Sequence, residues 1–387
     1  MYKVLTLNKI SPFGLDNFDP KAYTCGDNIE NPDAILVRSA AMHDMEVPAS
    51  LLAVARAGAG VNNIPTEAYG EQGVVVFNTP GANANAVKEL VLCGLLLTSR
   101  KIIPSIEWCK TLKGQEGVSK LVEKGKSAFV GPEIKGKKLG VIGLGAIGIL
   151  VANGAKNLGM EVYGYDPFIS VDAAWNLSRS IKHAKSTREI FANCDYITIH
   201  VPLNAETNGL INKESIATMK DGVRILNFAR GELVNDADII EALASGKVSA
   251  YATDFPNENL IGVDGVIAIP HLGASTPEAE DNCAHMAAVQ LIDYLENGNI
   301  KNSVNMPEVI VDRAAGDRVC VIHKNIPNMI AAISGVFSAE GINIENLTNK
   351  SKKSMAYTVV DLAGNVSDTV IAKLNEVDGV VRVRVIR

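Results

Sequence analysis

Apolar and polar positions alternate along the chain in two different ways. Short apolar runs predict strands at 2–7, 34–37, 52–55 and 74–77, and again at 139–142, 161–165, 196–200, 224–228, 250–253 and 266–269. Helical patterns lie between or after these runs at 87–97, 236–245 and 277–295. Strands that alternate with helices are typical of α/β folds with parallel sheets. We therefore predict two doubly wound parallel-sheet domains in this part of the chain.

A different order begins near residue 318. The pattern predicts a strand at 319–323, a helix at 329–341, strands at 342–349 and 355–362, a helix at 366–376 and a strand at 380–386. The resulting βαββαβ sequence indicates a ferredoxin-like module.

One glycine-rich turn organises the middle of the chain. Gly143, Gly145 and Gly148 follow the apolar run 139–142 at G-x-G-x-x-G spacing, and a helical pattern follows them up to Gly159. Glycines at this spacing permit a tight turn, a close approach to a pyrophosphate and close helix packing. The helix N-terminus then faces the phosphate charge. Because a second strand at 161–165 follows the helix, the motif predicts a dinucleotide-binding βαβ unit rather than an ordinary turn.

The residue after that second strand selects the cofactor. Asp166 stands at the strand end, where a carboxylate can accept both ribose hydroxyls of a dinucleotide. An acid at this place repels a 2′-phosphate. The sequence therefore predicts NAD rather than NADP.

Charged residues follow several other predicted strands. Arg230, Asp254 and His271 come after three successive strands of the nucleotide-binding half, and Arg38 and Arg56 after two strands near the N-terminus. Ligands of open α/β sheets bind beyond the carboxyl ends of strands. We expect the first three to lie at the cofactor edge and the two arginines to meet an anion, although a solvated surface arginine is the alternative for each.

Composition narrows the class of partner. The chain has 387 residues, a net charge of −6 and a pI near 5.6, which argue against nucleic-acid or membrane-surface partners. The longest apolar run, 90–97, is too short to cross a bilayer, and no signal peptide is recognisable. Six dispersed cysteines without a C-x-x-C pair suggest reduced thiols rather than disulfides or a metal site. We expect a cytoplasmic protein.

Five segments together resemble the D-isomer-specific 2-hydroxyacid dehydrogenases. They are RAGAGVNNI, NTPGANANAVKEL, GVIGLGAIG, LNFARGELV and PHLGASTPEAEDN. The resemblance implies a catalytic set of Arg230, Glu258 and His271, although DFPNENL is one residue shorter than the family pattern around Glu258. It also implies that Asp254 contacts the nicotinamide amide. The remaining implied contacts to NAD are Ala146, Ile147, Val201, Phe228, Ala229 and Gly273.

In the implied mechanism a histidine near its working pKa takes the hydroxyl proton, a carboxylate orients it and an arginine anchors the substrate carboxylate. The expected reaction is oxidation of D-3-phosphoglycerate to 3-phosphohydroxypyruvate, the first step of L-serine biosynthesis. Arg38, Arg56 and Asn83 are the expected substrate contacts. Hydroxypyruvate, glyoxylate and D-lactate remain alternative substrates, and an NAD-sensing corepressor is an alternative from a different class.

The resemblance also implies a domain plan. A flavodoxin-like substrate domain at 1–93 and 285–305 would enclose a Rossmann-like NAD-binding domain at 94–284, and a linker at 306–316 would lead to a regulatory domain at 317–387. The apolar helix at 87–97 has too little polar surface to face water, so we expect burial of this helix and a homodimer or homotetramer.

The C-terminal module resembles ACT domains, which bind amino acids between paired copies. His323, Asn325 and Asn343 stand at the positions that would hold L-serine. Side-chain amides can serve both the ammonium and the carboxylate of a zwitterion. Asn328 replaces the glycine that is usual in this turn. A module that only pairs subunits is the alternative.

Overall fold

The computed structural model describes every residue from Met1 to Arg387. The chain divides into two compact units, Met1–Asn83 with Pro277–Arg387 and Ala84–Thr276. The boundaries expected at residues 93–94 and 284–285 fall within two helices, each of which belongs wholly to one unit. No helix combines the length and the apolar composition that a bilayer crossing requires.

The elements, in chain order, begin with the N-terminal part of the first unit: β1 (Tyr2–Leu7), α1 (Pro12–Leu15), β2 (Tyr23–Gly26), β3 (Ala34–Val37), β4 (Ala53–Arg56), α2 (Thr66–Glu71) and β5 (Val75–Phe77). The second unit contains α3 (Ala84–Ser99), α4 (Ile102–Thr111), α5 (Val118–Gly125), a 3-10 turn (Lys126–Phe129), β6 (Lys138–Ile142), α6 (Ala146–Asn157), β7 (Glu161–Tyr165), α7 (Val171–Trp175), β8 (Lys182–His183), α8 (Thr187–Asn193), β9 (Tyr196–Ile199), α9 (Lys213–Ala217), β10 (Val223–Asn227), a 3-10 turn (Gly231–Leu233), α10 (Asp236–Ala244), β11 (Val248–Thr253) and β12 (Val266–Ala268). The first unit then continues with α11 (Pro277–Asn297), β13 (Arg318–Lys324), α12 (Met329–Ala339), β14 (Ile344–Lys352), β15 (Met355–Leu362), α13 (Asp368–Glu376) and β16 (Val380–Ile386).

The N-terminal sheet is a parallel five-stranded sheet in the order β2-β1-β3-β4-β5. This is the flavodoxin-like order, and its switch point lies between β1 and β3. Strand β3 has the sequence AILV and is buried on both faces, as expected of a central parallel strand.

Helix α11 packs closely on one face of this sheet. Alanines line both sides of the contact. Ala53 and Ala55 of β4 lie in the same buried cluster as three alanines of the helix, Ala284, Ala287 and Ala288. Small side chains let the helix axis approach the strands. The long helix is therefore held along its length by the N-terminal sheet.

The C-terminal module is a four-stranded antiparallel sheet in the order β14-β15-β13-β16. Its βαββαβ order agrees with the ferredoxin-like plan. Helices α12 and α13 cover one face through a cluster that includes Val321, Phe337 and Val360.

The other face of the module belongs to the core of the N-terminal sheet. Ile322, Tyr357 and Val359 lie in the same buried cluster as Val4 and Leu36. The segment 306–316, which the sequence predicted as a linker, contributes Met306 and Val309 to that cluster, and both are fully buried. The module is therefore part of the first unit.

The second unit is built on a parallel seven-stranded sheet in the order β12-β11-β10-β9-β6-β7-β8. The order reverses between β6 and β9, which is the switch point where Rossmann-type sheets bind ligands. Helix α3 buries Val87, Val91 and Leu95 against this unit. Its apolar sequence is thereby explained by packing within one chain.

Helices α4 and α5 lie on the surface of the second unit. Residues 114–136, between α4 and β6, contain α5 and a 3-10 turn, and neither α4 nor α5 has a buried residue. Ile102, Ile103 and Ile106 of α4 are between 41% and 49% exposed. The exposed apolar surface of this unit therefore includes α4.

Candidate active site

The glycine turn after β6 has the geometry that the motif predicts. Gly143 has φ +93°, and a Cβ placed on it would lie 2.6 Å from the carbonyl oxygen of His200. A Cβ on Gly148 would lie 1.9 Å from the carbonyl oxygen of Gly143, so only glycine lets α6 pack against the turn. A Cβ on Gly145 would meet nothing within 4 Å. The first turn of α6, with Ala146 and Ile147, begins at this open position.

Asp166 directly follows β7, beside the glycine turn. One of its oxygens accepts the N–H of Leu144 at 2.9 Å and the other accepts the N–H of Phe168 at 2.8 Å. These bonds fix the carboxylate where the turn begins. Carboxylate oxygens have further lone pairs, so the fixed group can still accept ribose hydroxyls.

Asp254 directly follows β11 and is only 1% exposed. Its Oδ2 accepts the N–H of Gly273 at 3.1 Å, whereas its buried Oδ1 has no hydrogen-bond partner. Burial raises the pKa of Asp254, and the charges of His271 and Arg230 oppose that shift only in part. A buried carboxylate oxygen without a donor is costly. The residues therefore fit a ligand that brings a donor, such as the amide group of a nicotinamide.

Arg230, Asp254 and His271 lie at one edge of the sheet, as predicted. They follow β10, β11 and β12, which are adjacent and parallel. The Arg230 guanidinium is exposed and donates to the carbonyl of Ala229 at 2.6 Å. His271 is exposed, and its ring lies 4.7 Å from the ring of Phe255, centroid to centroid.

Asn227 fixes the turn that carries Arg230. Its fully buried side chain donates to the carbonyl of Arg230 at 2.8 Å and to the hydroxyl of Tyr251 at 3.3 Å. Phe228, which is 8% exposed, and the half-buried Ala229 and Val201 complete the strand ends of this edge.

Glu258 is not brought into contact with His271. The carboxylate is exposed and forms no hydrogen bond with the imidazole, whose charge acts on the carboxylate of Asp254 instead. Asp236 accepts the side-chain amides of Asn257 and Asn259 at 2.9 and 3.1 Å, which fixes the loop on both sides of Glu258. Hydrogen bonds of catalytic groups often form only with substrate present.

His200 also follows a strand of this sheet but has a structural environment. Burial lowers its pKa to about 4, and its Nε2 lies 2.9 Å from the hydroxyl of Thr198. The imidazole is therefore neutral at neutral pH, which agrees with leaving it out of the predicted catalytic set.

The two N-terminal arginines lie next to each other, because Arg38 directly follows β3 and Arg56 is the last residue of the adjacent strand β4. The Arg56 guanidinium donates to the carbonyl of Arg38 at 3.0 Å and to that of Gly60. Arg38 instead pairs with Glu280 of α11, Nη2 to Oε1, at 2.5 Å. Asn83 is half-buried at the end of this stretch of the first unit. No pattern in the sequence indicated that Glu280 would be the partner of Arg38.

The three predicted effector residues have different environments. His323 is 2% exposed, and its nitrogens contact the Lys324 carbonyl at 2.8 Å and the Thr358 hydroxyl at 2.8 Å. Asn325 donates to the carbonyl of Lys353 at 3.1 Å, and Asn343 is exposed. Asn328 adopts the left-handed conformation, with φ 72°, that a glycine would otherwise supply.

Comparison with known proteins agrees with this geometry. The family model for the NAD-binding domain of D-isomer-specific 2-hydroxyacid dehydrogenases matches residues 93–273. The D-3-phosphoglycerate dehydrogenase of Haemophilus influenzae is 34% identical over 354 residues, which cover 88% of this chain and 83% of that protein. The enzymes of that name from Methanocaldococcus jannaschii and Homo sapiens are 37% and 35% identical, and this chain spans about half of their length, 53% and 51%.

Solved structures show the same fold. The NAD⁺-bound 3-phosphoglycerate dehydrogenase of Entamoeba histolytica has a TM-score of 0.60 at 26% identity, over 79% of this chain and 98% of that chain. A glyoxylate reductase from Paecilomyes thermophila has a TM-score of 0.64 at 23% identity, over 78% of this chain and 98% of that chain, and shows likeness of fold.

Fold and site together define an NAD-dependent oxidoreductase. The chain belongs to the D-isomer-specific 2-hydroxyacid dehydrogenase family. The predicted fold class and the choice of NAD are thereby confirmed.

Proposed function

We propose that this protein oxidises D-3-phosphoglycerate to 3-phosphohydroxypyruvate with NAD, the first step of L-serine biosynthesis. The observation that carries the proposal is the identity of 34% with a D-3-phosphoglycerate dehydrogenase over 88% of the chain. The arrangement of Arg230, Asp254 and His271 at one sheet edge supports a dehydrogenase reaction. Its six free cysteines fit a reducing compartment such as the cytoplasm.

In this proposal His271 takes the proton of the substrate hydroxyl and returns it in the reverse reaction. Arg230 binds the substrate carboxylate through its planar fork of donors. Glu258 orients the imidazole once substrate is bound. Bound NAD supplies the hydride acceptor, held by the glycine turn, by Asp166 and by the unpartnered oxygen of Asp254.

The phosphate end of the substrate is assigned to Arg38 and Arg56. Both lie at carboxyl ends of adjacent strands, and Arg38 lies at the switch point of the N-terminal sheet. Asn83 is the third proposed contact. Two guanidinium groups supply the donors that a phosphate dianion needs.

Steady-state turnover with NADH tests the proposal. Reduction of 3-phosphohydroxypyruvate should exceed that of hydroxypyruvate, glyoxylate and pyruvate in kcat/KM. A larger kcat/KM for an unphosphorylated acid would mean that the protein has a different substrate within the family and would contradict the proposal. NADH binding without turnover of any of them would favour an NAD-sensing binding protein.

We further propose that the C-terminal module binds L-serine through Asn325 and Asn343. Both are exposed, whereas the buried His323 would hold the turn by its bonds to Lys324 and Thr358. Calorimetry should detect L-serine binding that Asn343→Ala abolishes. No heat and no inhibition at millimolar L-serine would leave the module with an assembly role only.

A homo-oligomer is also proposed, with α4 at the contact. The apolar side of α3 packs inside the second unit, so the exposed Ile102, Ile103 and Ile106 of α4 support the proposal instead. Sedimentation should show a dimer or tetramer that Ile106→Glu dissociates. A monomer in the unmodified protein would contradict it.

A further inference from the structure

One ion pair joins helix α11 to the switch point of the N-terminal sheet. Arg38 directly follows β3, and Glu280 lies in the first turn of α11. The two side chains are 43% and 41% exposed, so an anion from solvent can reach the pair. The chain therefore places an acid in contact with one of the two arginines assigned to the substrate phosphate.

The pair leaves part of the Arg38 guanidinium available. Arg38 donates to Glu280 through Nη2, and its Nε and Nη1 form no hydrogen bond in the structure. The neighbouring acid Asp281 accepts the hydroxyl of Ser11 at 2.5 Å. Glu280 is therefore the acid that directly partners Arg38.

We propose that Glu280 is a positioning and specificity-determining residue, which sets how strongly Arg38 attracts the substrate phosphate. The inference rests on the proposed function, in which Arg38 contacts that phosphate. Glu280 lies in the first turn of α11, where the positive end of the helix dipole attracts negative charge. An ionised Glu280 offsets the charge of Arg38, and it repels the phosphate dianion that must share the same guanidinium.

Unphosphorylated hydroxy acids have no phosphate that could bind to Arg38. Their carboxylate is assigned to Arg230, so no charged group of these acids competes with Glu280 for the Arg38 guanidinium. Glu280 therefore weakens binding of the phosphorylated substrate selectively. Release of the phosphorylated product becomes easier for the same reason.

The substitution Glu280→Gln keeps the size of the side chain and a hydrogen-bond acceptor for Arg38 but removes the charge. We expect KM for 3-phosphohydroxypyruvate to fall about 3- to 10-fold, whereas KM for hydroxypyruvate changes less than about 2-fold. Inorganic phosphate, used as a competing anion, should inhibit the variant at correspondingly lower concentration. kcat should stay the same or fall, since a tighter complex does not speed release.

Glu278→Gln is the matched control. Glu278 lies two residues earlier on α11 and is exposed, so its substitution should leave both KM values unchanged. In the background of Arg38→Ala, the effect of Glu280→Gln should disappear, because the two residues act through one pair. Glu280→Ala provides a second variant, in which KM for the phosphorylated substrate should also fall.

The outcomes separate the two proposals. If the unmodified protein shows no preference for 3-phosphohydroxypyruvate over hydroxypyruvate, the proposed function fails. If that preference is present but Glu280→Gln and Glu280→Ala raise KM for the phosphorylated substrate, or change both substrates equally, the role of Glu280 is overturned.

Discussion

At the scale of single residues, the buried carboxyl of Asp254 lowers the stability of the ligand-free protein, and we attribute this loss of stability to its role in binding NAD. Burial raises the pKa of its carboxyl, and its Oδ1 has no donor. A carboxyl whose pKa is raised by folding destabilises the folded state while it is ionised, and this cost is relieved as the pH falls through the folded-state pKa. The unpartnered oxygen is therefore more easily explained by ligand binding than by stability.

We predict that Asp254→Asn stabilises the ligand-free protein at neutral pH and weakens NADH binding by about 5- to 150-fold. Urea denaturation without ligand and fluorescence titration with NADH measure the two effects. The gain in stability should shrink toward acidic pH. Asp264→Asn, at an exposed position, is the control, and a loss of stability in Asp254→Asn without any loss of NADH affinity would contradict the assignment.

Asp166 carries the prediction on cofactor choice. Its carboxylate is fixed by the N–H groups of Leu144 and Phe168. The unmodified protein should strongly prefer NADH to NADPH. Asp166→Ala should lower the ratio of kcat/KM for NADH to kcat/KM for NADPH by roughly 10-fold or more, because the repulsion of a 2′-phosphate is removed. Comparable kcat/KM values for both cofactors in the unmodified protein would refute the prediction.

His271 carries the acid–base prediction. His271→Ala should lower kcat by about 10² to 10⁴ while NADH still binds. Glu258→Gln should move the pH–rate profile to lower pH, because a neutral partner no longer favours the imidazolium. If Asn259→Ala moved the profile and Glu258→Gln did not, the alignment across 254–260 would be wrong.

The positions of some of these site residues could be predicted from the sequence, whereas other contacts could not. The glycines, Asp166 and Asp254 were predictable because each is fixed by a local turn at a strand end. The pair of Arg38 with Glu280 was not, since its partners lie 242 positions apart and meet only through the packing of α11. The position of Glu258 relative to His271 depends on side-chain amides bound by Asp236, which no periodic pattern reports.

At the scale of elements, a buried ion pair ties two strands of the module to α11. Arg318 of β13 is fully buried and binds Asp361 of β15 through two contacts of 2.6 and 2.9 Å. Its third nitrogen, Nη1, donates to the carbonyl of Asn297, the last residue of α11, and to the carbonyl of Val311. The end of the helix and the module sheet are thereby held together.

We predict that Arg318→Met lowers the free energy of unfolding by about 3 to 5 kcal/mol, since it leaves the Asp361 charge buried without a partner. The double variant Arg318→Met/Asp361→Leu should recover a large part of that loss. Chemical denaturation of the two variants compares them directly. Equal losses in both would show that the carbonyl contacts of Arg318, rather than the charge pair, account for the stability.

The sequence predicted the buried strands more accurately than the short surface helices. The strands β3 and β15, in which every residue is buried, were predicted at their observed bounds. Short surface helices such as α4, α7 and α9 were missed, since they lack a long apolar stripe. The first turns of α7 and α9 are stabilised by side-chain caps, through Ser170 in α7 and through the capping box of Asn212 and Ser215 in α9.

At the scale of the whole molecule, the C-terminal module and the N-terminal sheet have one core in common. β15 contacts that core with one face and the module's own helices with the other. Val359 lies in the common core and Val360 in the helix-covered cluster, and they are 2% and 0% exposed. Sequence could not predict this, because both faces of a ferredoxin-like sheet can be apolar without indicating their partner.

The two neighbouring valines form a matched test of this coupling. Val359→Ala and Val360→Ala should each cost roughly 1 to 3 kcal/mol of stability, because each removes two buried methyl groups. In hydrogen exchange, Val359→Ala should accelerate amides of β1 and β3 together with those of β13 and β15. Val360→Ala should accelerate the module more than β1 and β3. If neither substitution accelerated the exchange of amides in β1 and β3, the module would open independently of the N-terminal sheet.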